Sequence, residues 1–225
     1  MRVVNLISLL LLYWSVGFAQ PLYTSLNHSN YRNYEPFSDT IDINNFDAAR
    51  INACVFFATN EIRAKKNLSI LSYHTALEKS STLHSEDMVN LNFFSHTNNK
   101  IKKHREPNDR AKIVGIENPH LAENIIEGFI LKYNSGDAVV ADSPGVFLYP
   151  ESNKKLIYHS YITLTDKLLE LWMGSKGHRA NILSENGVEL GCGTILYFMN
   201  DFNEMPAVKA TQNFQWYEKV KFKSD

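Results

Sequence analysis

Apolar residues recur at helical spacing over residues 47–66. Ile51, Cys54, Val55, Ala58 and Ile62 fall on one side, with Asn60, Glu61, Arg63, Lys65 and Lys66 on the other. After a connector at 68–71, Thr75-Ala-Leu-Glu78 has the spacing of a capping box. Leu77, Ser81, His84, Met88 and Leu91 then form the stripe of a second helix ending near Asn92. Residues 98–112 are polar and charged and read as a loop. The run AENIIEGFI at 122–130 suits a strand or a short helix. Residues 132–162, with Gly136, Pro144, Gly145 and Pro150, read as a long irregular insertion. Leu164, Leu168, Leu171 and Trp172 mark a third helix, with Thr163 or Thr165 as its cap, broken at Gly174-Ser175-Lys176-Gly177 just before His178. Two β-like runs, VELGCGTILYF and AVKATQNFQWY, flank a polar turn at 200–204 and pair naturally as a hairpin. Helices first and strands last predict an α+β domain, with helices packed on an antiparallel sheet.

The segment 21–45 has no sustained period and reads as a leader, partly ordered at best. Ahead of it, one positive charge, the apolar run LISLLLLYWSV and a small-x-small site before Gln20 make the layout of a secretory signal peptide. A membrane helix is the competitor, but about a dozen apolar residues are few for a bilayer. The expected mature protein is secreted or periplasmic and does not span a membrane.

The chain has 225 residues, 44% hydrophobic, and a net charge of −1. That length supports one domain with a real core, and the near-neutral charge argues against a nucleic-acid partner. Lys100, Lys102, Lys103, Arg105, Arg110 and Lys112 stand against Glu106 and Asp109. They form either a solvated loop or a contact for an anionic polymer or lipid headgroups. Cys54 and Cys192 are compatible with one disulfide in an exported protein, or with two buried thiols.

No HExxH, GxSxG, P-loop or CxxC pair is present, so any site must be assembled from distant segments. Three residues look out of place for packing: His96 after Phe93-Phe94, Glu123 in an otherwise apolar run, and His178 after a helix stop. Two imidazoles and a carboxylate are a workable zinc set with one position open to water. They are equally able to exchange protons, or to be hydrogen-bonded anchors for loops. His84, on an apolar face, reads as a buried ring with a partner. Arg179 reads as a surface ion pair or a support for the site.

The series LHSEDMVNLNFFSHT, AENI, LWMGSKGHRANIL, ELGCG and ATQNF, in this order, resembles the CAP superfamily of cysteine-rich secretory, antigen 5 and pathogenesis-related 1 proteins. GHRANIL is similar to its bacterial SCP-like extracellular branch. The resemblance covers roughly residues 47–217, leaving 1–19 as signal peptide, 20–46 as leader and 218–225 as tail. It implies an α–β–α sandwich, a central antiparallel sheet between helical layers, with a cleft of two His and two acidic residues that binds zinc in some members. By motif, His96, Glu123 and His178 match three of the four; no carboxylate matches the fourth, Glu170 lying one turn back. The resemblance also implies that Gly174 to Gly177 turn the backbone sharply and that Gln212 is a polar residue of a late strand, either structural or a support for the site. It points to a ligand-binding or interaction module for a small molecule, a lipid or a cell-envelope or protein partner. The alternative is a zinc-assisted peptidase or cell-wall hydrolase using the same cleft.

Overall fold

The computed structural model describes residues 19–133 and 136–222. The expected signal peptide, apart from Ala19, lies outside the described residues. The elements in order are α1 (Ala19–Ser25), α2 (Ala48–Lys65), β1 (Ser72–Tyr73), α3 (Thr75–Asn90), α4 (Pro107–Ile113), β2 (Leu121–Phe129), β3 (Leu131–Lys132), β4 (Val140–Ser143), β5 (Val146–Tyr149), β6 (Lys154–Lys155), β7 (Ile157–Tyr158), α5 (Tyr161–Gly174), α6 (Lys176–Ile182), β8 (Gly187–Met199) and β9 (Met205–Trp216).

The central sheet has the order β1-β8-β9-β2. β8 and β9 form the expected hairpin and β2 adds antiparallel to β9, while the two-residue β1 joins β8 in parallel. Helices cover both faces, giving the α–β–α sandwich. On one face α3 comes unusually close, because the strand beneath it lacks side chains. A Cβ on Gly191 would lie 2.0 Å from the Glu78 nitrogen, and one on Gly193 2.2 Å from that of Thr82. The interface is polar: Ser81 Oγ donates to the Gly191 carbonyl at 3.0 Å and Ser85 Oγ to that of Gly193 at 2.9 Å. On the other face α2 and α5 bury an apolar core that includes Ile51, Cys54, Val55, Leu168, Trp172, Val208 and Phe214.

Several local expectations change on folding. The cap of α3 is His74, whose Nδ1 accepts from the Ala76 amide at 3.2 Å, while Glu78 turns away to accept from the Tyr23 hydroxyl at 2.8 Å. Ser160 and Thr163 form the capping box of α5. The loop at 98–112 contains α4, started by a reciprocal Glu106–Asp109 capping box. Asn60 and Arg63 leave the expected polar face of α2 and are buried. Asn60 clips both backbone groups of Leu71 at 2.9 Å. Arg63 Nη1 donates to the carbonyls of Ile182 and Ser184 at 2.8 Å, tying α2 to the end of α6.

The N-terminal segment is not a loose leader. Tyr31, Phe37 and Ile41 are fully buried in the main core, and Tyr23 stacks on Tyr73 with centroids 3.5 Å apart. These anchors are single aromatic plugs, which leave no period in the sequence. The cysteines are free rather than bridged. Both are buried, and burial pushes the Cys54 thiol up to about 12 and the Cys192 thiol well above its ordinary value.

The insertion folds as two small sheets, β3-β7 and β4-β5-β6, around Leu131, Phe147, Leu156 and Met205. It rests on the turn of the β8–β9 hairpin, where the Gly145 amide donates to the Asn203 carbonyl at 2.9 Å. That end of β2 is six residues, or about 20 Å, from Glu123, so the insertion does not cover the candidate cleft.

Candidate functional site

β2 is an edge strand, and an open edge needs its backbone groups covered. Two side chains do this. Trp172 Nε1 donates to the Ile125 carbonyl, and Asn181 Nδ2 to that of Glu123, each at 3.2 Å. The α5–α6 corner is thereby docked on the strand. The corner itself differs from expectation. His178 follows the end of α5 at Gly174, as expected, but it sits in the first turn of a new helix, α6, rather than in a turn of its own. Ser175, extended at φ −86° and ψ 128°, makes the break, and neither Gly174 nor Gly177 adopts a positive φ.

Alternation along β2 sends Glu123 and Asn124 to opposite faces. Asn124 enters a buried polar chain. Its Nδ2 donates to the His178 carbonyl at 3.2 Å and to Gln212 Oε1 at 3.1 Å, and its Oδ1 accepts from Asn181 Nδ2 at 2.9 Å. Gln212 Nε2 donates in turn to Thr59 Oγ1 at 2.7 Å. Gln212 is therefore structural, linking α2, β9, β2 and α6.

Glu123 faces α3 and α4, with 2% of its side chain exposed. Its Oε1 accepts from His96 Nδ1 at 2.9 Å, and its Oε2 accepts from Arg110 Nη2 at 2.7 Å. His84 Nε2 lies 3.6 Å from Oε1 and donates instead to the Ser95 carbonyl at 3.0 Å. Burial pushes the Glu123 carboxyl up, but the His96 hydrogen bond and the Arg110 charge outweigh it and hold it below the usual carboxylate range. Burial takes His84 down to about 4, so it is neutral at pH 7. Its fixed Nε2–H leaves Nδ1 buried without a partner.

His96 donates from Nδ1, which leaves Nε2 as the nitrogen turned to a ligand, on a side chain 47% exposed. His178 is half-buried, and its basicity falls through burial first and then through the charge of His96. The two imidazoles thus sense one another across the β2 edge, His96 from the α3 side and His178 from the α6 side. Glu170 does not join them: it is exposed and paired to Lys167 at 3.0 Å. Arg179 donates to the Met173 carbonyl at 2.7 Å and closes the end of α5.

The profile of the family described as "CAP: Cysteine-rich secretory protein family" matches residues 56–202. The chain belongs to the CAP family. It is 27% identical over 137 residues to the uncharacterised protein YkwD of Bacillus subtilis (strain 168), covering 61% of this chain and 39% of that protein. Among solved structures it is similar to an extracellular protein containing an SCP domain from Bacillus anthracis, at 24% identity and TM-score 0.48, over 76% of this chain and 42% of the other. It is also similar to an outer surface protein of Borrelia burgdorferi, at 12% identity and TM-score 0.41, over 72% and 90% of the two chains. The chain spans about two fifths of the length of the two Bacillus proteins.

The CAP cleft of this chain does not fit zinc. Among the described residues, no three His, Cys, Asp or Glu side chains are grouped to share an ion. Both Glu123 oxygens are already engaged, one by a guanidinium whose positive charge opposes a second cation beside it. Arg110 is the residue that sequence reasoning missed. It was one of six basic residues in a polar stretch, yet its side chain is fully buried. It also donates to the carbonyls of His104 (2.8 Å), Arg105 (3.2 Å) and His96 (3.2 Å), which shapes the loop that presents His96. His104, with no signal in the sequence, is buried too, and donates from Nδ1 to Asp87 Oδ2 at 2.7 Å.

Proposed function

We propose that this CAP domain is an exported binding module. Its β2-edge cleft, between His96 and His178, takes a hydrogen-bonding group of a cell-envelope partner without a metal. The observation that carries this reading is the state of Glu123. A carboxylate that activates water or binds a metal needs an oxygen turned to the open site. Here one oxygen is held by a buried guanidinium and the other orients His96. The carboxylate therefore fixes a tautomer, and the imidazoles meet the ligand. Among the described residues no Ser, Thr or Cys side chain is hydrogen-bonded to either imidazole, which supports binding over the hydrolase alternative. Export to the outside of the cell or to the periplasm rests on the charge–apolar–small order of residues 1–19. Among the described residues no helix is long and apolar enough to cross a membrane.

The test uses the chain from residue 20 onward and its His96→Ala/His178→Ala variant. Each is sedimented with isolated cell envelopes, with and without chelator, and titrated calorimetrically with zinc. The expected result is co-sedimentation lost in the variant, unchanged by chelator, and no saturable zinc heat. Saturable zinc binding abolished by the double substitution would overturn the reading, as would equal sedimentation of both proteins.

A further inference from the structure

The loop that presents His96 has a second face, built by the same framework. Residues 100–112 hold six basic and two acidic side chains, whereas the rest of the chain has 17 basic and 22 acidic, a net charge of −5. A local cationic surface therefore stands on an anionic body. Arg110 is turned inward, and Lys100, Lys102, Lys103, Arg105 and Lys112 are exposed. Lys102, Lys103, Arg105 and Lys112, with Asp109, line an open concavity of about 680 Å³.

The two carboxylates do not neutralise this surface. Glu106 and Asp109 are engaged with each other's backbone at the start of α4, and Arg105 Nε is 3.6 Å from Glu106. Among the described residues no carboxylate lies within 4.0 Å of Lys100, Lys102, Lys103 or Lys112. Lys65, Lys167 and Lys221, by contrast, are paired with Glu61, Glu170 and Glu218.

The backbone that carries these cations is held in place. Asn98 Oδ1 accepts from the Lys100 and Ile101 amides at 2.8 and 3.0 Å, and Asp87 holds both Asn98 and His104. The Arg110 guanidinium pins the His104 and Arg105 carbonyls from below. A loop whose backbone is already ordered presents its charges at a lower entropy cost than one that must first be ordered. Lysines act as point charges suited to phosphate, with no demand for bidentate geometry. The cationic surface is concave, which suits a polymer strand rather than a membrane plane.

We infer that the 100–112 surface is a docking groove for a linear, phosphate-rich anionic polymer. This does not rest on the cleft reading, since its residues are distinct from His96 and His178. The test is binding of inorganic polyphosphate across a salt series. It compares the chain from residue 20 onward with Lys102→Gln/Lys103→Gln/Lys112→Gln and a control triple, Lys65→Gln/Lys167→Gln/Lys221→Gln. A linear polyanion releases counterions as cations bind, about 0.7 in log–log slope per charge. The groove variant should lose affinity at least roughly tenfold at low salt, with its slope shallower by about 2; the control should match the parent. Equal losses in both triples, or no binding by the parent at low salt, would overturn the inference. So would binding to phosphatidylglycerol vesicles with none to polyphosphate.

Discussion

Arg110→Met asks whether the cleft is organised around a buried ion pair. The Arg110 and Glu123 side chains are at most 2% exposed and meet at 2.7 Å. Removing one partner of such a pair strands the other charge, typically at about 3–5 kcal/mol. The carbonyls of His96, His104 and Arg105 lose a donor in the same step, each at about 1–3 kcal/mol if left dry. These losses share one side chain and do not add in full. A total near 5 kcal/mol is expected, which lowers the melting temperature by roughly 10–20 °C in a domain of this size. The pH dependence has a definite sign. In the parent, the Glu123 carboxyl lies below its ordinary value of 4.5. Its contribution is present above that value and is lost as pH falls through the folded value. Without Arg110, burial dominates and the carboxyl rises, so the variant recovers stability as pH falls toward 4.5 and the gap to the parent narrows. Urea unfolding at pH 7 and pH 4.5, in parent and Glu123→Gln backgrounds, measures both effects. Glu123→Gln should remove at least about 1 kcal/mol of the Arg110→Met cost. A cost under about 1 kcal/mol at pH 7, or one equal at both pH values and in both backgrounds, would refute the pairing argument.

Three further outcomes follow from the geometry. Gly193→Ala puts a methyl 2.2 Å from the Thr82 backbone and should cost more than about 3 kcal/mol or prevent folding, whereas Gly174→Ala meets nothing within 4 Å and should be neutral or stabilising by up to about 1 kcal/mol; thermal melts separate the two. In a proton NMR titration the His178 ring should titrate below an ordinary histidine and move upward in His96→Ala, and an unmoved midpoint would show that the two rings do not sense one another. Thiol titration without reductant should find two reactive groups after denaturation and almost none before it; a chain with no thiols in denaturant would contradict the buried, unbridged cysteines.

The long elements were legible because their signals are local. A 3.6-residue apolar period marked α2, α3 and α5, and β-branched runs around a polar turn marked the hairpin. The order of five motifs carried the family and with it the sandwich. His96 and Glu123 stood out as polar residues in apolar company, and the structure joins them at 2.9 Å. His178, marked by its place at a helix break, comes within electrostatic reach of His96.

Whether a polar residue is buried, however, depends on partners that no local pattern shows. Arg110 looked like its lysine neighbours until Glu123 arrived from β2, and Arg63 looked solvent-facing until the Ile182 and Ser184 carbonyls arrived from α6. Tyr31 and Phe37 had no period to reveal them, because each fills a separate gap in the main core. Glu78 had the spacing of a cap but was drawn to Tyr23, 55 residues away. The sequence by itself determined where the helices and strands form and which residues are out of place among apolar neighbours. Only the tertiary structure decided which charges are neutralised inside the protein and which remain in water, because a buried charge is tolerable only beside a partner that folding brings to it.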